Sequence, residues 1–322
     1  KGMRTVMPDG KIRARGVAMA MQGSSISNCD VGSVTVKLSD EGTYHITVGC
    51  TDMGTGCDTI IAQFAADVLE TPIDNISVYG VDTDISPYDS GSYASSTTYL
   101  TGMAAVKACE QLRERIIALA AVRMNKDASA LTFDGENVID ESDGAKMSLF
   151  DIATASMCNN EISLEVTYSH SSPVSPPPFM AACAEIEADP ETGAIELLDY
   201  TACVDCGTVV NTNLARVQTE GGLLQGIGMT LYEDIWYDER GKNLSNSFMQ
   251  YKVPSRLDTD RIRVEFDSSY EPTGPFGAKS IGEIVINTPA PAIADAVYNA
   301  TGVWINELPI TPEKILKGMK VI

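Results

Sequence analysis

The sequence has few of the residues on which several common kinds of chemistry depend. It contains two histidines, His45 and His170, and they lie far apart in the chain. A conventional zinc site or a Ser-His-Asp triad is therefore disfavoured, because each needs histidine beside its partner residues. There is no run of about 18 apolar residues, the length that a membrane-spanning helix needs. No apolar segment follows the first residues, so we expect no secretory signal.

Positive charge is also scarce. Lysine and arginine together number 23 against 44 aspartates and glutamates, which gives a net charge of −21. Binding to nucleic acid or to an anionic membrane surface requires a basic patch, so both functions are disfavoured. The acidity favours solubility or a basic partner protein, and a solvated surface is the simpler of these explanations.

The cysteines do not form a pattern typical of a metal site or of a secreted protein. Eight are scattered along the chain, and Cys203 and Cys206 are the only close pair. A zinc site would need a second pair at similar spacing. With no export signal, we expect reduced thiols and a cytoplasmic protein. A simple nucleotide-binding module is disfavoured because no GxGxxG or P-loop sequence is present.

The hydrophobic pattern predicts both strands and helices along the 322 residues. Residues 34–38 and 44–48 alternate as a β-hairpin, and residues 60–69 have helical periodicity. Later helices are predicted to begin near Leu100, to span residues 214–232, and to follow an N-cap at Thr288 and end at Gly302. The proline-rich stretch 171–178 predicts a boundary that divides the chain into subdomains 1–170 and 171–322.

A glycine-rich loop leads from the hairpin into the first helix. Its residues are Met53, Gly54, Thr55 and Gly56. The N–H groups at a helix N-terminus and the positive end of its dipole suit an anion. The loop is therefore a candidate site for a phosphate or a pterin, although an ordinary strand-to-helix turn explains the pattern equally well.

A second loop with a similar position precedes the second helix. It is rich in small hydroxyl residues and contains Ala94, Ser95, Ser96, Thr97 and Thr98. One hydroxyl would suffice to cap a helix, so a run of them indicates a ligand with many hydrogen-bond acceptors.

The third predicted helix is unusual for its glycines, each of which destabilises a helix by about 1 kcal/mol relative to alanine. Close approach of a cofactor or of another backbone would explain them, and so would tight helix packing. Gln218 and Gln225 are seven residues apart and share a face, where they could hydrogen-bond a planar heterocycle. The glycines are Gly221, Gly222, Gly226 and Gly228.

Residues 274–283, Gly-Pro-Phe-Gly-Ala-Lys-Ser-Ile-Gly-Glu, end in a single carboxylate, Glu283. Glycine permits backbone turns that other residues resist and lets a ligand approach the main chain closely. A carboxylate at the end of such a turn is a candidate general base. Taken alone, a surface turn is the simpler explanation.

Five stretches in this order resemble motifs of the molybdenum hydroxylases, the xanthine dehydrogenase and aldehyde oxidoreductase family. Residues 274–283 are the most specific, since they are similar to the active-site segment of that family. The other stretches are residues 50–56, 93–102, 204–228 and 251–254.

The resemblance implies an α+β fold with mixed sheets and packed helices. The chain would form the C-terminal half of the molybdenum-cofactor-binding region, in two subdomains. Glu283 would be a buried general base, and Lys279 would orient its loop. The cofactor, molybdopterin cytosine dinucleotide with its molybdenum, would be contacted by residues 53–56, residues 94–98, Gln218 and Lys279. This chain would supply no metal ligand. Thr55 stands where the family usually has Gln, which leaves the role of that position open.

Several parts of the family are not found in this sequence. These are a Gly-Gly-Gly-Phe-Gly loop, the four-cysteine spacing of an iron–sulfur site, and a flavin domain. The chain therefore resembles one piece of a split enzyme, and its layout is most similar to the medium molybdopterin subunit of clostridial nicotinate dehydrogenase.

The expected partners are a larger molybdopterin subunit that shares the cofactor, an FAD subunit and a 2Fe-2S subunit. The expected substrate is an aromatic N-heterocycle, with nicotinate as the first hypothesis. A non-catalytic scaffold subunit with a degenerate cofactor cleft is the alternative.

Overall fold

A computed structural model describes residues 3–157, 163–255, 257–259 and 261–322. In chain order the strands are β1 (Arg4–Val6), β2 (Ile12–Met21), β3 (Gly32–Leu38), β4 (Tyr44–Val48), β5 (Ile76–Gly80), β6 (Leu131–Phe133), β7 (Asn137–Asp140), β8 (Lys146–Ser148), β9 (Glu165–His170), β10 (Phe179–Ala188), β11 (Ile195–Asp205) and β12 (Ile262–Asp267). The helices are α1 (Cys57–Leu69), α2 (Gly102–Met124), α3 (Leu149–Met157), α4 (Thr212–Leu231), α5 (Pro289–Thr301) and α6 (Pro312–Gly318). This is the predicted α+β class with mixed sheets and packed helices.

The chain forms two compact units, each assembled from separate stretches. The five-stranded unit comprises Lys1–Gln22, Pro177–Ser269 and Ile281–Ile322, and the two-sheet unit comprises Gly23–Pro176 and Tyr270–Ser280. One boundary lies in the predicted proline-rich stretch, between residues 176 and 177. The division therefore differs from a single cut after residue 170, because the chain passes between the units four times.

The two-sheet unit is organised around β3. Its larger sheet has the order β5-β4-β3-β9, and its smaller sheet has the order β6-β7-β8. The predicted hairpin is the antiparallel pair of β3 and β4. Alternation along β3 buries Val34, Val36 and Leu38 in one core with Leu112 and Ile116 of α2. The period-2 pattern of the strand and the period-3.6 pattern of the helix thus meet in a single apolar layer.

The five-stranded unit has the sheet order β1-β2-β10-β11-β12, in which only β11 and β12 are parallel. Helix α5 packs against β2 and β10. The helix can approach this closely because Gly16 has no side chain. A Cβ at this position would lie 2.1 Å from the carbonyl oxygen of Ala292. One face of the sheet is thereby covered by helix.

The predicted helix after Thr288 is confirmed, with Thr288 at its N-cap position, but the threonine side chain makes no capping hydrogen bond. Helix α5 begins at Pro289, and Gly302 follows it with a left-handed φ of 77°. Thr288 has helical backbone angles and makes no side-chain cap hydrogen bond. Its hydroxyl is buried and accepts a hydrogen bond from the Tyr200 hydroxyl at 3.0 Å. The hydroxyl that the sequence predicted would cap the helix therefore bonds to a residue that is distant in sequence.

We expect Tyr200→Phe to lower the free energy of unfolding by about 1 kcal/mol, because the Thr288 hydroxyl loses its buried donor. Urea denaturation measures the change. Tyr44→Phe is the matched control, since Tyr44 is equally buried and its hydroxyl has no hydrogen-bond partner among the described protein atoms. An equal loss in both variants would contradict the assignment.

None of the seven cysteines that the structure describes is in a disulfide bond. The eighth, Cys158, lies outside the described residues. Cys203 is exposed and Cys206 is buried, so the close pair does not present two thiols to one ligand. Among the described helices, none is both long enough and apolar enough to cross a membrane.

Candidate functional site

The loop that precedes α1 holds itself together through Asp52. One carboxylate oxygen of Asp52 accepts hydrogen bonds from the backbone N–H groups of Gly54 at 2.9 Å and Gly56 at 3.1 Å. Both glycines have left-handed φ angles, 106° and 78°. Two of the N–H groups that the sequence offered to an anion are therefore taken by the loop's own carboxylate. Because like charges repel, the arrangement favours a neutral hydrogen-bonding ligand here over a phosphate.

The Asp52 carboxyl is stabilised in its ionised form. Partial burial by itself would raise its pKa, but hydrogen bonds from the backbone N–H groups of Gly54, Gly56, Asp58 and Thr55 hold the pKa below its usual value. The stability that this gives is complete above the ordinary pKa of aspartate. It is lost as the pH falls through the lower pKa of the folded state.

Asp52→Ala is expected to loosen this loop. Losing charge-assisted hydrogen bonds should lower the free energy of unfolding by about 1–2 kcal/mol. Amide hydrogen exchange at Gly54 and Gly56 should accelerate, which nuclear magnetic resonance or mass spectrometry detects. Asp52→Asn retains an accepting oxygen and should keep most of the protection. Unchanged exchange in the alanine variant would refute this account of the loop.

Asp52 also lies near Cys57 and Asp58. The carboxylate and thiol atoms of these three residues that could bind a metal all lie within 4.8 Å of one another. Burial and the Asp52 charge raise the pKa of Asp58, and the Cys57 thiol lies 3.8 Å from an Asp58 oxygen as a hydrogen-bond donor. The group is explained by hydrogen bonding, and we assign no metal to it.

The hydroxyl-rich loop has a strained backbone. Ala94 and Ser95 have left-handed φ angles of 47° and 60°. Each such non-glycine residue costs of order 1–3 kcal/mol, and strain of this kind concentrates at functional sites. Some of the hydroxyls hold the turn, since Thr97 bonds to Ser92 at 2.7 Å and Ser96 donates to the carbonyl of Gly91 at 3.2 Å. Fewer hydroxyls than the sequence suggested remain for a ligand.

The part of the glycine-rich motif before Ile281 belongs to the two-sheet unit and is rigidly folded. A Cβ on Gly274 would lie 1.9 Å from the carbonyl oxygen of Ala278, so only glycine fits. Ser280 donates from its backbone N–H to the Ser24 hydroxyl at 3.1 Å. Lys279 is only 6% exposed, and a buried ammonium group requires compensating polar contacts. The orienting role of Lys279 stays a prediction.

Glu283 belongs to the five-stranded unit and starts the helical turn Ile284–Ile286. Its carbonyl accepts a hydrogen bond from the Ile286 N–H at 3.2 Å. Its side chain is exposed, which corrects the expectation of a buried carboxylate. The amide nitrogen of Gln22 lies 3.5 Å from one carboxylate oxygen. Gln22 was not anticipated, because its proximity depends on where β2 ends.

The glycines of α4 are explained by packing at three of their four positions. A Cβ on Gly222 would lie 2.2 Å from a methyl group of Val285, and one on Gly226 would lie 2.6 Å from the ring of Pro289. A Cβ on Gly228 would lie 2.2 Å from the Glu233 carboxylate. Only at Gly221 would a Cβ meet no atom within 4 Å. The helix therefore lies directly beneath the turn that Glu283 begins, so its glycines position the candidate base.

The two glutamines of α4 differ in exposure. Gln218 is half-buried and Gln225 is exposed, so both can reach a ligand outside the helix. The two-sheet unit thus carries residues 53–56, residues 94–98 and Lys279, whereas the five-stranded unit carries Gln218 and Glu283.

Residues 3–260 match the molybdopterin cofactor-binding domain family. The chain therefore belongs to the molybdopterin-binding domains of the xanthine dehydrogenase and aldehyde oxidoreductase family. It is 38% identical to "Probable hypoxanthine oxidase XdhD" of Escherichia coli (strain K12), over 96% of this chain and 32% of that protein. It is 31% identical to the 6-hydroxypseudooxynicotine dehydrogenase complex subunit gamma of Paenarthrobacter nicotinovorans, over 95% of this chain and 40% of that protein.

The fold agrees with that of a solved relative. Quinoline 2-oxidoreductase from Pseudomonas putida 86 superposes with a TM-score of 0.86 at 27% identity, over 97% of this chain and 42% of that chain. The chain thus spans about a third to two fifths of the length of the relatives that it matches.

Proposed function

We propose that this chain is a molybdopterin-binding subunit of a multi-subunit molybdenum hydroxylase. The complex would hydroxylate an aromatic N-heterocycle with oxygen from water, and nicotinate to 6-hydroxynicotinate is the first hypothesis. The observation that carries the proposal is Glu283 itself. It ends the most specific motif, and its turn is fixed on α4 by the close packing of Gly222 against Val285.

The residues present fit such a cofactor. In the two-sheet unit, the strained turn at Ala94 and Ser95 and the loop around Met53 offer uncharged hydrogen-bonding and apolar contacts. In the five-stranded unit, Gln218 offers its amide. Met53 is 67% exposed, so its side chain is accessible to a ligand. When bound, the cofactor would supply two-electron redox chemistry at molybdenum, which protein side chains cannot provide. Glu283 would accept the proton released as water is activated, with the Gln22 amide orienting its carboxylate.

The remaining parts of the enzyme would come from other polypeptide. We infer a larger molybdopterin subunit that shares the cytosine dinucleotide cofactor, together with 2Fe-2S and FAD subunits that carry electrons away. The similarity to a subunit of a dehydrogenase complex supports this inference. We infer a layout similar to that of the medium molybdopterin subunit of clostridial nicotinate dehydrogenase.

Metal and pterin analysis of the purified complex tests the proposal. We expect roughly one molybdenum per copy of this chain, with a pterin that releases cytidine monophosphate on hydrolysis. Complex that oxidises its heterocycle yet contains no molybdenum would overturn the proposal. A pterin that releases a different nucleotide would overturn only the cytosine assignment.

A non-catalytic scaffold subunit is the second candidate, and the exposure of Glu283 favours it. A general base normally acts where water is excluded, and this chain alone does not exclude water from the carboxylate. The scaffold hypothesis predicts that replacing Glu283 leaves turnover unchanged.

A further inference from the structure

Tyr99 lies between two stretches of the two-sheet unit that are candidates for cofactor binding. It directly follows the hydroxyl-rich loop 94–98 and lies within the π-helical turn Thr97–Thr101. Such turns are rare and often occur at functional sites. The Tyr99 side chain is fully buried, and a Cβ on Gly274 would lie 3.3 Å from its ring. The loop and the start of the glycine-rich motif are therefore in contact through this ring, although they are distant in sequence.

The Tyr99 hydroxyl is the middle member of a chain of hydrogen bonds. It lies 2.7 Å from the Thr273 hydroxyl and 3.1 Å from the Ser172 hydroxyl. Thr273 donates to a carboxylate oxygen of Glu271 at 2.6 Å, because an ionised carboxylate can only accept. The Thr273 oxygen therefore accepts from Tyr99, and the Tyr99 oxygen accepts from Ser172. Tyr99 thus uses its one donor on the residue that immediately precedes the motif.

The other end of the motif is fixed by Ser24. The Ser24 hydroxyl donates to the carbonyl of Pro176 at 2.6 Å and accepts from the backbone N–H of Ser280 at 3.1 Å. Ser24 is fully buried, so water does not compete for these bonds. Residues 274–280 are therefore anchored at both ends, with Lys279 beside the second anchor.

The loop before Tyr99 has a backbone that depends on support from outside. Ala94 and Ser95 hold left-handed φ angles of 47° and 60°. Strained conformations of this kind persist only where the surrounding structure fixes them. Tyr99 lies four residues beyond Ser95 and ties this part of the chain to Thr273.

We propose that Tyr99 is a positioning residue, which fixes the hydroxyl-rich loop 94–98 and the glycine-rich motif with Lys279 in one arrangement that fits a single cofactor. This inference rests on the proposed function, in which both stretches contact the pterin. Tyr99 acts through its neighbours, because its side chain is fully buried and its hydroxyl is engaged by Thr273 and Ser172. Groups that are held in place before binding do not have to be ordered when the ligand arrives, which increases affinity.

Tyr99→Phe removes the hydroxyl and keeps the ring. We expect amide hydrogen exchange of residues 274–278 in the full chain to become about fivefold faster, the size expected when one hydrogen bond is lost. Thr273→Val removes the other hydroxyl and should accelerate exchange of residues 94–98 to a similar extent. Each variant is measured in the stretch that it does not alter, so a purely local change would have no effect there. Mass spectrometry of peptides from the two stretches measures both rates.

Release of the pterin from the complex is the second measurement. Tyr99→Phe and Thr273→Val should each release it about tenfold faster on dilution, because the loop and the motif are no longer held together. Fluorescence of the released pterin after oxidation gives the rate. The double variant should release it no faster than either single variant, because the two hydroxyls form one contact. Additive effects would show that the two hydroxyls act separately and would overturn the proposal.

Tyr44→Phe is the matched control. Tyr44 belongs to the same two-sheet unit and is equally buried, and its hydroxyl has no hydrogen-bond partner among the described protein atoms. This variant should leave the exchange of both stretches and the release of pterin unchanged. The proposal is overturned if Tyr99→Phe gives the same exchange and release rates as Tyr44→Phe, even if it lowers the temperature of unfolding.

The outcomes separate this inference from the proposed function. A complex that holds molybdenum and pterin but is insensitive to Tyr99→Phe would refute the positioning role and leave the function standing. A complex that holds no pterin, and in which both stretches respond to the variants, would refute the function. The link between the loop and the motif would then serve the fold alone.

Discussion

A Glu283→Gln subunit is expected to assemble with its cofactor and to turn over substrate about 10²–10⁴-fold more slowly, the usual contribution of a general base. The amide has nearly the shape of the carboxylate but cannot accept the proton. Steady-state turnover, normalised to the molybdenum content of the complex, measures the effect.

The control for this variant is Glu307→Gln. Glu307 has a side chain that is 84% exposed and lies outside the candidate site, so its replacement should leave turnover unchanged. Near-normal turnover of Glu283→Gln would remove Glu283 from the chemistry and would favour the scaffold hypothesis. A loss of turnover that is matched by a loss of molybdenum would show a structural role instead.

Gly222→Ala should harm both stability and turnover. The new methyl group would lie 2.2 Å from a methyl of Val285, which is fully buried and cannot move aside without shifting the turn that Glu283 begins. Overpacking of this kind destabilises by about 1–3 kcal/mol. A misplacement of about 1 Å at a catalytic group can lower the rate by about 10²-fold. Thermal unfolding and turnover per molybdenum measure the two effects.

Gly221→Ala is the matched control for stability, because the two glycines are adjacent in α4 and a Cβ on Gly221 meets no atom within 4 Å. It should raise the stability of the subunit by up to about 1 kcal/mol through helix propensity. If both variants were equally stable, the contact between α4 and Val285 would not position the turn.

Local sequence was sufficient for most of the elements. The hairpin of β3 and β4 and the helix α1 follow from alternation and helical periodicity, which reflect contacts within a few residues. Thr288 shows where this approach fails. A threonine before proline is a good local cap, yet its buried hydroxyl bonds to Tyr200, which is distant in sequence.

In the candidate site, too, local sequence predicted some features and missed others. Residue types and spacing identified the loops and Glu283 as candidates, because glycine and carboxylate patterns are local. The sequence did not show that Asp52 occupies two N–H groups of its loop, although an aspartate two residues before a glycine is a recognised turn signal. The sequence left open whether the α4 glycines allow close packing or the approach of a cofactor. In the structure, Val285 packs against Gly222 and Pro289 packs against Gly226, so these two glycines allow close packing.

The sequence by itself determined the α+β class, one hairpin and the main helices, the family and the candidate base. Tertiary structure alone decided that the chain passes between two units four times and that Glu283 is exposed beside Gln22. The physical reason is that alternation shows which residues share a face of a strand but not what covers that face. Covering depends on contacts between residues far apart in sequence.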